Sequence, residues 1–204
     1  TNLLVEGFYT ILDDVFALRD MDDAADGGKV KERYNGSGAT VRGFNVEGRA
    51  AFTRWFELQA GVTLQQSRYK EPEFWSEDAE VPPVRRMFRT PDTYGYFTAS
   101  FKPVRNFTAD LSGTCTGSML VQHMAGSGVA QDVAVSTPSF FDMNIRLSYD
   151  VRIYKEITMQ LYGGVQNLFN AYQKDFDKGV DRDSGYIYGP SLPRSWFVGA
   201  KFSF

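Results

Sequence analysis

Apolar and polar residues alternate along most of this chain, in runs each long enough for one β-strand. Over 140–152, Phe141, Met143, Ile145, Leu147, Tyr149 and Val151 oppose Asp142, Asn144, Arg146, Ser148 and Asp150. Over 107–120, Phe107, Ala109, Leu111, Cys115 and Met119 oppose Thr108, Asp110, Ser112, Thr114, Thr116 and Ser118. The same two-residue period runs through 56–67, 94–102, 157–170 and 194–204, and more weakly through 3–18 and 39–52. In the last strand Trp196, Val198, Ala200, Phe202 and Phe204 share a face, and Phe197 is the one apolar residue opposite them. Successive side chains of a strand point to opposite faces, so each run predicts one apolar and one polar face. The fold expected is all-β, an antiparallel meander of about eight strands.

The connections sharpen that expectation. Short ones fall at Thr53-Arg54, Pro103-Val104-Arg105-Asn106 and Tyr154-Lys155-Glu156, and long ones span roughly 19–38, 68–93, 121–139 and 171–193. Outer-membrane barrels have short periplasmic turns, long extracellular loops, and spans of about 9–11 residues. A soluble sandwich has no need of such alternation. Periodicity does not say which face is inside, but the aromatics add a clue. Trp55, Phe56, Phe101, Phe107, Tyr154 and Phe204 gather at the short-turn end, as in an interfacial girdle.

Composition is compatible without being decisive. The 204 residues are 43% hydrophobic and 23% charged, which also fits a soluble domain. No stretch approaches the ~18 consecutive apolar residues of a membrane helix, but a barrel escapes that test because half of each strand is polar. A net charge of −3 argues against nucleic acid as a partner. Cys115 is the only cysteine, which excludes a disulfide framework and a cysteine metal cluster. No signal peptide opens the chain, so an exported barrel of this sequence is expected to be a processed or partial product.

Several motifs carry a family resemblance over the whole chain. The terminal Phe204 resembles the last residue of bacterial outer-membrane barrels, which implies that it is an assembly signal read by the barrel-assembly machinery. Gly164-Val165-Gln166-Asn167-Leu168-Phe169-Asn170, then Tyr186-Ile187-Tyr188-Gly189-Pro190 and Leu192-Pro193-Arg194, resemble the C-terminal region of TonB-dependent outer-membrane receptors of Bacteroidetes type. Glu6-Gly7-Phe8-Tyr9-Thr10, Gly43 to Gly48, Arg89-Thr90-Pro91 and Thr116-Gly117-Ser118-Met119 fit the same pattern. The resemblance implies a 22-stranded barrel, of which residues 1–204 are the C-terminal portion, without the plug domain and TonB-contact segment. It implies import of a scarce bulky nutrient, an iron chelate such as a siderophore or cobalamin, energised from the inner membrane. The implied partners are the TonB complex through the plug, the nutrient and membrane lipid; the implied location is the outer membrane of a Gram-negative bacterium. The alternatives are a small self-closed eight-stranded barrel with a structural, adhesion or binding role, and a soluble β-rich binding domain.

The candidate chemistry lies in the long connections. Arg85, Arg86 and Arg89, with Trp75 and nearby phenylalanines, form a set able to grip an anionic chelate by guanidinium forks and cation–π contacts. The bland alternative is pairing of those arginines with the acids of the same loop. His123, between Met119 and Met124, is a residue type that ligates haem iron or touches a corrin, and equally one that packs at a rim. Tyr186 joins these as a ligand-contact candidate. Asp175, Asp177, Asp181 and Asp183 supply the oxygen ligands calcium prefers, but Tyr186 stands where an EF-hand needs glutamate. No cofactor is implied. No catalytic set emerges: a hydrolase would need His123 in register with Ser118 or Ser127, and Asp142 and Asp150 near Arg146 read as a polar ladder.

Overall fold

A computed structural model of the chain describes residues 1–21 and 30–204. Eight strands form the main meander: β1 (Asn2–Leu12), β4 (Ala39–Thr53), β5 (Phe56–Glu73), β7 (Thr93–Val104), β8 (Phe107–Thr116), β11 (Phe140–Tyr154), β12 (Ile157–Gln166) and β13 (Ser195–Ser203). Five short strands decorate the long connections: β2 (Phe16–Met21) with β3 (Val30–Asn35), β6 (Val84–Arg86) on β5, and β9 (Leu120–His123) with β10 (Val133–Ser136). All pairing between these strands is antiparallel, in the order β1-β4-β5-β7-β8-β11-β12-β13. The self-closed barrel is therefore not the architecture. Among the described residues β1 pairs only with β4 and β13 only with β12, and the sheet stays open.

The eight expected strands are present, with corrected ends. The run 3–18 breaks at residues 13–15, where Asp14 takes a φ of 53°. The run 107–120 stops at Thr116, and 157–170 stops at Gln166 because Asn167 and Asn170 both adopt positive φ. Residues 68–73 belong to β5, which continues in register with β4 as far as Tyr69 opposite Ala39. Three of the long connections carry hairpin pairing: β2 with β3, β5 with β6, and β9 with β10. The 19–38 connection lies partly outside the described residues.

Register carries the two-faced pattern across the sheet. Ala50, Leu58, Ala99, Leu111, Ile145, Val165 and Trp196 form one continuous row over seven strands. Direct partners share a face, so a single apolar face is built from residues far apart in sequence. Among the described residues it has no second protein layer: Leu147 is 43% exposed and Val198 89%. A soluble sandwich would cover such a face.

The opposite face is a polar ladder. Arg146 donates to Gln160 at 3.2 Å, Gln160 to Asp150 at 2.9 Å, Ser100 to Asp110 at 2.7 Å and Thr63 to Asn45 at 2.8 Å. Arg146 also stands 4.5 Å from the Tyr162 ring centroid. Aromatic residues of this face lie across backbone that lacks a side chain. A Cβ on Gly199 would meet the Tyr162 ring at 2.4 Å, and one on Gly164 would meet the Phe197 ring at 2.7 Å. This explains Phe197, the apolar residue on the wrong side: it covers a glycine next door. At the short-turn end Trp55, Phe56 and Phe101 stack with centroids 4.7–6.5 Å apart.

Candidate functional site

The end opposite the short turns is a set of connections tied to one another. It begins at Asn167, 2% exposed, where the chain leaves β12. Its backbone N–H donates to Asn144, and its side-chain amide donates to the carbonyls of Ala171 and Leu192 while accepting from the Ala171 N–H. Asn170 accepts from the N–H of Arg194. Two asparagines thus pin both ends of a 28-residue loop, 167–194, and tolerate the left-handed backbone needed there.

The middle of that loop folds back onto β9 and β11. Val121, Phe140, Tyr186 and Tyr188 make a small buried cluster, against which Met119, Val135 and Ala171 pack. Gln173, fully buried, donates to the Tyr186 carbonyl at 3.1 Å and accepts from the Tyr188 N–H at 2.9 Å. Both tyrosine hydroxyls donate to Asp175, at 2.7 and 2.6 Å. Burial pushes the Asp175 carboxyl up, but the Tyr188 and Tyr186 hydrogen bonds outweigh it and hold it below the ordinary carboxylate range. Burial, then the Asp175 bond, pushes the Tyr188 phenol up to about 12 and the Tyr186 phenol higher still.

His123 lies face to face with Tyr186, centroids 3.7 Å apart and planes 5° from parallel. Its Nε2 is 3.0 and 3.1 Å from the two Asp177 oxygens. The Asp183 N–H also donates to Asp177, and this bond, with that of His123, keeps the Asp177 carboxyl below its usual range. Asp183 in turn accepts from the N–H groups of Met124 and Gly185, at 2.8 and 2.7 Å. The ring nitrogen that would ligate iron is therefore turned into the protein.

The sequence-identified residues come together at this end, but mostly in structural contacts. Arg89 donates to the carbonyls of Ile187 and Gly185, linking loop 87–92 to loop 167–194. Arg86 holds the Ser118 carbonyl at 2.6 Å and Asp92 at 2.9 Å. Arg85 reaches the Lys70 carbonyl and Glu71. None of the three guanidinia is aimed as a free fork. Trp75 packs edge-on against Phe88 at 5.3 Å. Among the described residues no three His, Cys, Asp or Glu side chains converge on a point able to hold a metal; Asp175, Asp177 and Asp183 are committed as above. Neither serine serves His123: Ser127 donates to the Lys178 carbonyl, and Ser118 contributes its carbonyl to Arg86.

An open cavity of about 270 Å³ adjoins this network, lined by Phe16, Tyr69, Glu73, Phe74, Trp75 and Phe88 among others. Of the candidates, only Trp75 lines it. Gln173 and Asn167 organise the site; Asn167 stands in the sequence motif 164–170 with no role attached to it, and Gln173 was not singled out, since a polar residue in a loop gives no signal of burial.

No protein-family model matches the chain, and no curated protein matches it in sequence. Solved structures match in fold. The ferric-catecholate import receptor Fiu of E. coli K12 matches at 19% identity with a TM-score of 0.63, over 97% of this chain and 24% of that one. The ferric enterobactin receptor PfeA of Pseudomonas aeruginosa matches at 15% and 0.62, over 96% and 28%. The copper transporter OprC matches at 14% and 0.64, over 99% and 29%. The chain spans about a quarter of the length of these structures, which are import receptors and a transporter rather than enzymes.

Proposed function

We propose that this chain is the C-terminal part of the barrel wall of a TonB-dependent outer-membrane import receptor of Bacteroidetes type. One observation carries the reading: an apolar face, continuous over eight register-matched strands and covered by no protein, backed by a hydrogen-bonded polar face. In water that arrangement is unstable; in a bilayer the apolar face meets lipid and the polar face a lumen. The free edges at β1 and β13 are untenable in lipid, so further strands pair with them and complete the wall. The folds of Fiu, PfeA and OprC support this architecture.

On this reading the connections 74–92, 117–139 and 167–194 are extracellular and form part of the outer vestibule, with Phe204 offered to the assembly machinery. The cargo is a scarce, bulky nutrient, an iron chelate such as a siderophore or a cobalamin, moved when TonB remodels a plug. Trp75 and its cavity are the remaining contact candidates in this chain. Arg85, Arg86, Arg89, His123 and Tyr186 hold the vestibule in shape.

The test is uptake of radiolabelled ferric siderophores and of cobalamin by cells whose only receptor of this kind is the full-length protein. Uptake is expected to depend on TonB and to fall when residues 76–82 are deleted, with the barrel still folded. Uptake of neither cargo, or uptake indifferent to TonB, sinks the proposal.

A further inference from the structure

The apolar face carries charge at one place only. Across β1, β4, β5, β7, β8, β11, β12 and β13, the residues in register with the apolar rows include no acid. Their only bases are Arg42, Arg68 and Lys70. All three stand at the end of β4 and β5 away from the short turns. Gln66 is ten residues from Phe56, about 33 Å along the strand at ~3.3 Å per residue. At a tilt of ~45° that is about 23 Å along the membrane normal, close to the ~25 Å height of a barrel's apolar band. Arg42, opposite Gln66, therefore emerges where hydrocarbon gives way to headgroups, and Arg68 lies one step beyond.

The three bases differ in availability. Lys70 is neutralised by Asp13. Arg42 donates to Gln66 at 2.7 Å, which fixes its direction and leaves other N–H groups free. Arg68 is exposed and has no polar partner among the described residues. Directly below runs a shallow groove of about 570 Å³, lined on this face by Gly7, Tyr9, Arg42, Phe44, Leu64 and Gln66. Gly7 leaves the groove open where a side chain would meet the Phe44 ring at 3.3 Å. Tyr9, in register with Arg42, places a phenol at the same height.

We infer that this is a binding site for a phosphorylated lipid of the outer leaflet: Arg42 and Arg68 fork the headgroup phosphate, and the groove beneath takes an acyl chain. The inference rests on the barrel reading, which makes this face lipid-exposed. An arginine fork matches phosphate geometry. Charge complementarity selects the occupant: the nearby acids are already paired, Asp13 with Lys70 and Asp92 with Arg86, the base opposite Arg68, which leaves Arg42 and Arg68 without an acidic partner, and the apolar groove favours a lipid over a free anion. Such a contact would anchor the wall at a fixed depth beside the β1 edge.

The test uses the full-length protein in nanodiscs of phosphatidylcholine with a minor fraction of phosphatidic acid, with retained lipids counted by native mass spectrometry. Phosphatidic acid should be retained in preference to phosphatidylcholine. Arg42→Gln with Arg68→Gln should lower that preference about 5-fold per arginine removed, taking ~1 kcal/mol per surface cation. Arg105→Gln, in a short turn at the far end, should leave it unchanged. No preference in the wild type, or an equal preference in the double variant, overturns the site. Displacement by inorganic phosphate at matched concentration also overturns it, since the lipid chain would then contribute nothing. Heat-modifiable migration on gels is read in parallel; its absence in the wild type would count against the barrel itself.

Discussion

Substituting Leu147 by arginine tests the orientation on which every functional statement depends. Leu147 is the central residue of β11, seven residues from Tyr154 at the short-turn end. Seven residues span about 23 Å along the strand and about 16 Å along the normal at ~45° tilt. The midplane of a ~25 Å apolar band lies about 12–13 Å above its lower edge, so Leu147 sits within ~4 Å of it. Its register partners are Ala109 and Gly163, which offer an introduced guanidinium no acid and no hydrogen bond. An arginine at that depth costs about 2–4 kcal/mol. The neighbour Arg146 faces the other way, and Arg146→Leu loses one hydrogen bond to Gln160 and a cation–π contact with Tyr162. Together those are worth roughly 1–2 kcal/mol. Equilibrium unfolding of the full-length protein from phosphatidylcholine vesicles in guanidinium, followed by tryptophan fluorescence, measures both. Leu147→Arg should lower stability about 3 kcal/mol and Arg146→Leu distinctly less. The reverse order, or a Leu147→Arg variant within ~0.5 kcal/mol of wild type, would refute a lipid-facing Leu147.

Other consequences follow from the loop network and the glycines. Tyr186→Leu removes the His123 stack and the Asp175 hydrogen bond, about 2–4 kcal/mol of local stability. Limited proteolysis should then cut within 167–194 while the barrel keeps its heat-modifiable band; an uncut loop would mean the network is not what holds it. Asp175 and Asp177 have carboxyls held below their ordinary range, so their contribution is full above that range and lost as pH falls through the lowered values. Hydrogen-exchange protection in 167–194, with the intrinsic pH dependence of amide exchange divided out, should hold down to pH 5 and fall only below about pH 4, the ordinary carboxyl value; protection lost between pH 7 and 5 would contradict the assignment. Gly199→Val would force Tyr162 from its place over the backbone and cost about 1–3 kcal/mol by the same unfolding assay, whereas a neutral result would deny the close approach.

Much of the wall was legible in the sequence, because a half-apolar strand writes its two faces into every second residue. The alternation at 140–152 matches the two faces of β11, and the short turns lie at Arg54–Trp55, Arg105–Asn106 and Lys155–Glu156, the first one residue beyond the expected Thr53-Arg54. Strand ends were less legible. Tyr69 continues β5 only because Ala39 lies across from it, and Asn167 ends β12 through bonds to Ala171 and Leu192, partners that local pattern does not contain. The candidate site was legible as a neighbourhood and illegible in its roles. Arg89, His123 and Tyr186 come together at one end, but whether an arginine is free to grip a ligand depends on which carbonyl reaches it first. For Arg89 that carbonyl belongs to Ile187, 98 positions away. The sequence alone determined periodicity, face composition and connection lengths, which are local quantities set by side-chain chemistry. Tertiary structure alone decided register, the open edges at β1 and β13, and the commitment of His123 to Asp177, because those depend on contacts whose partners only the folded chain brings within hydrogen-bonding distance.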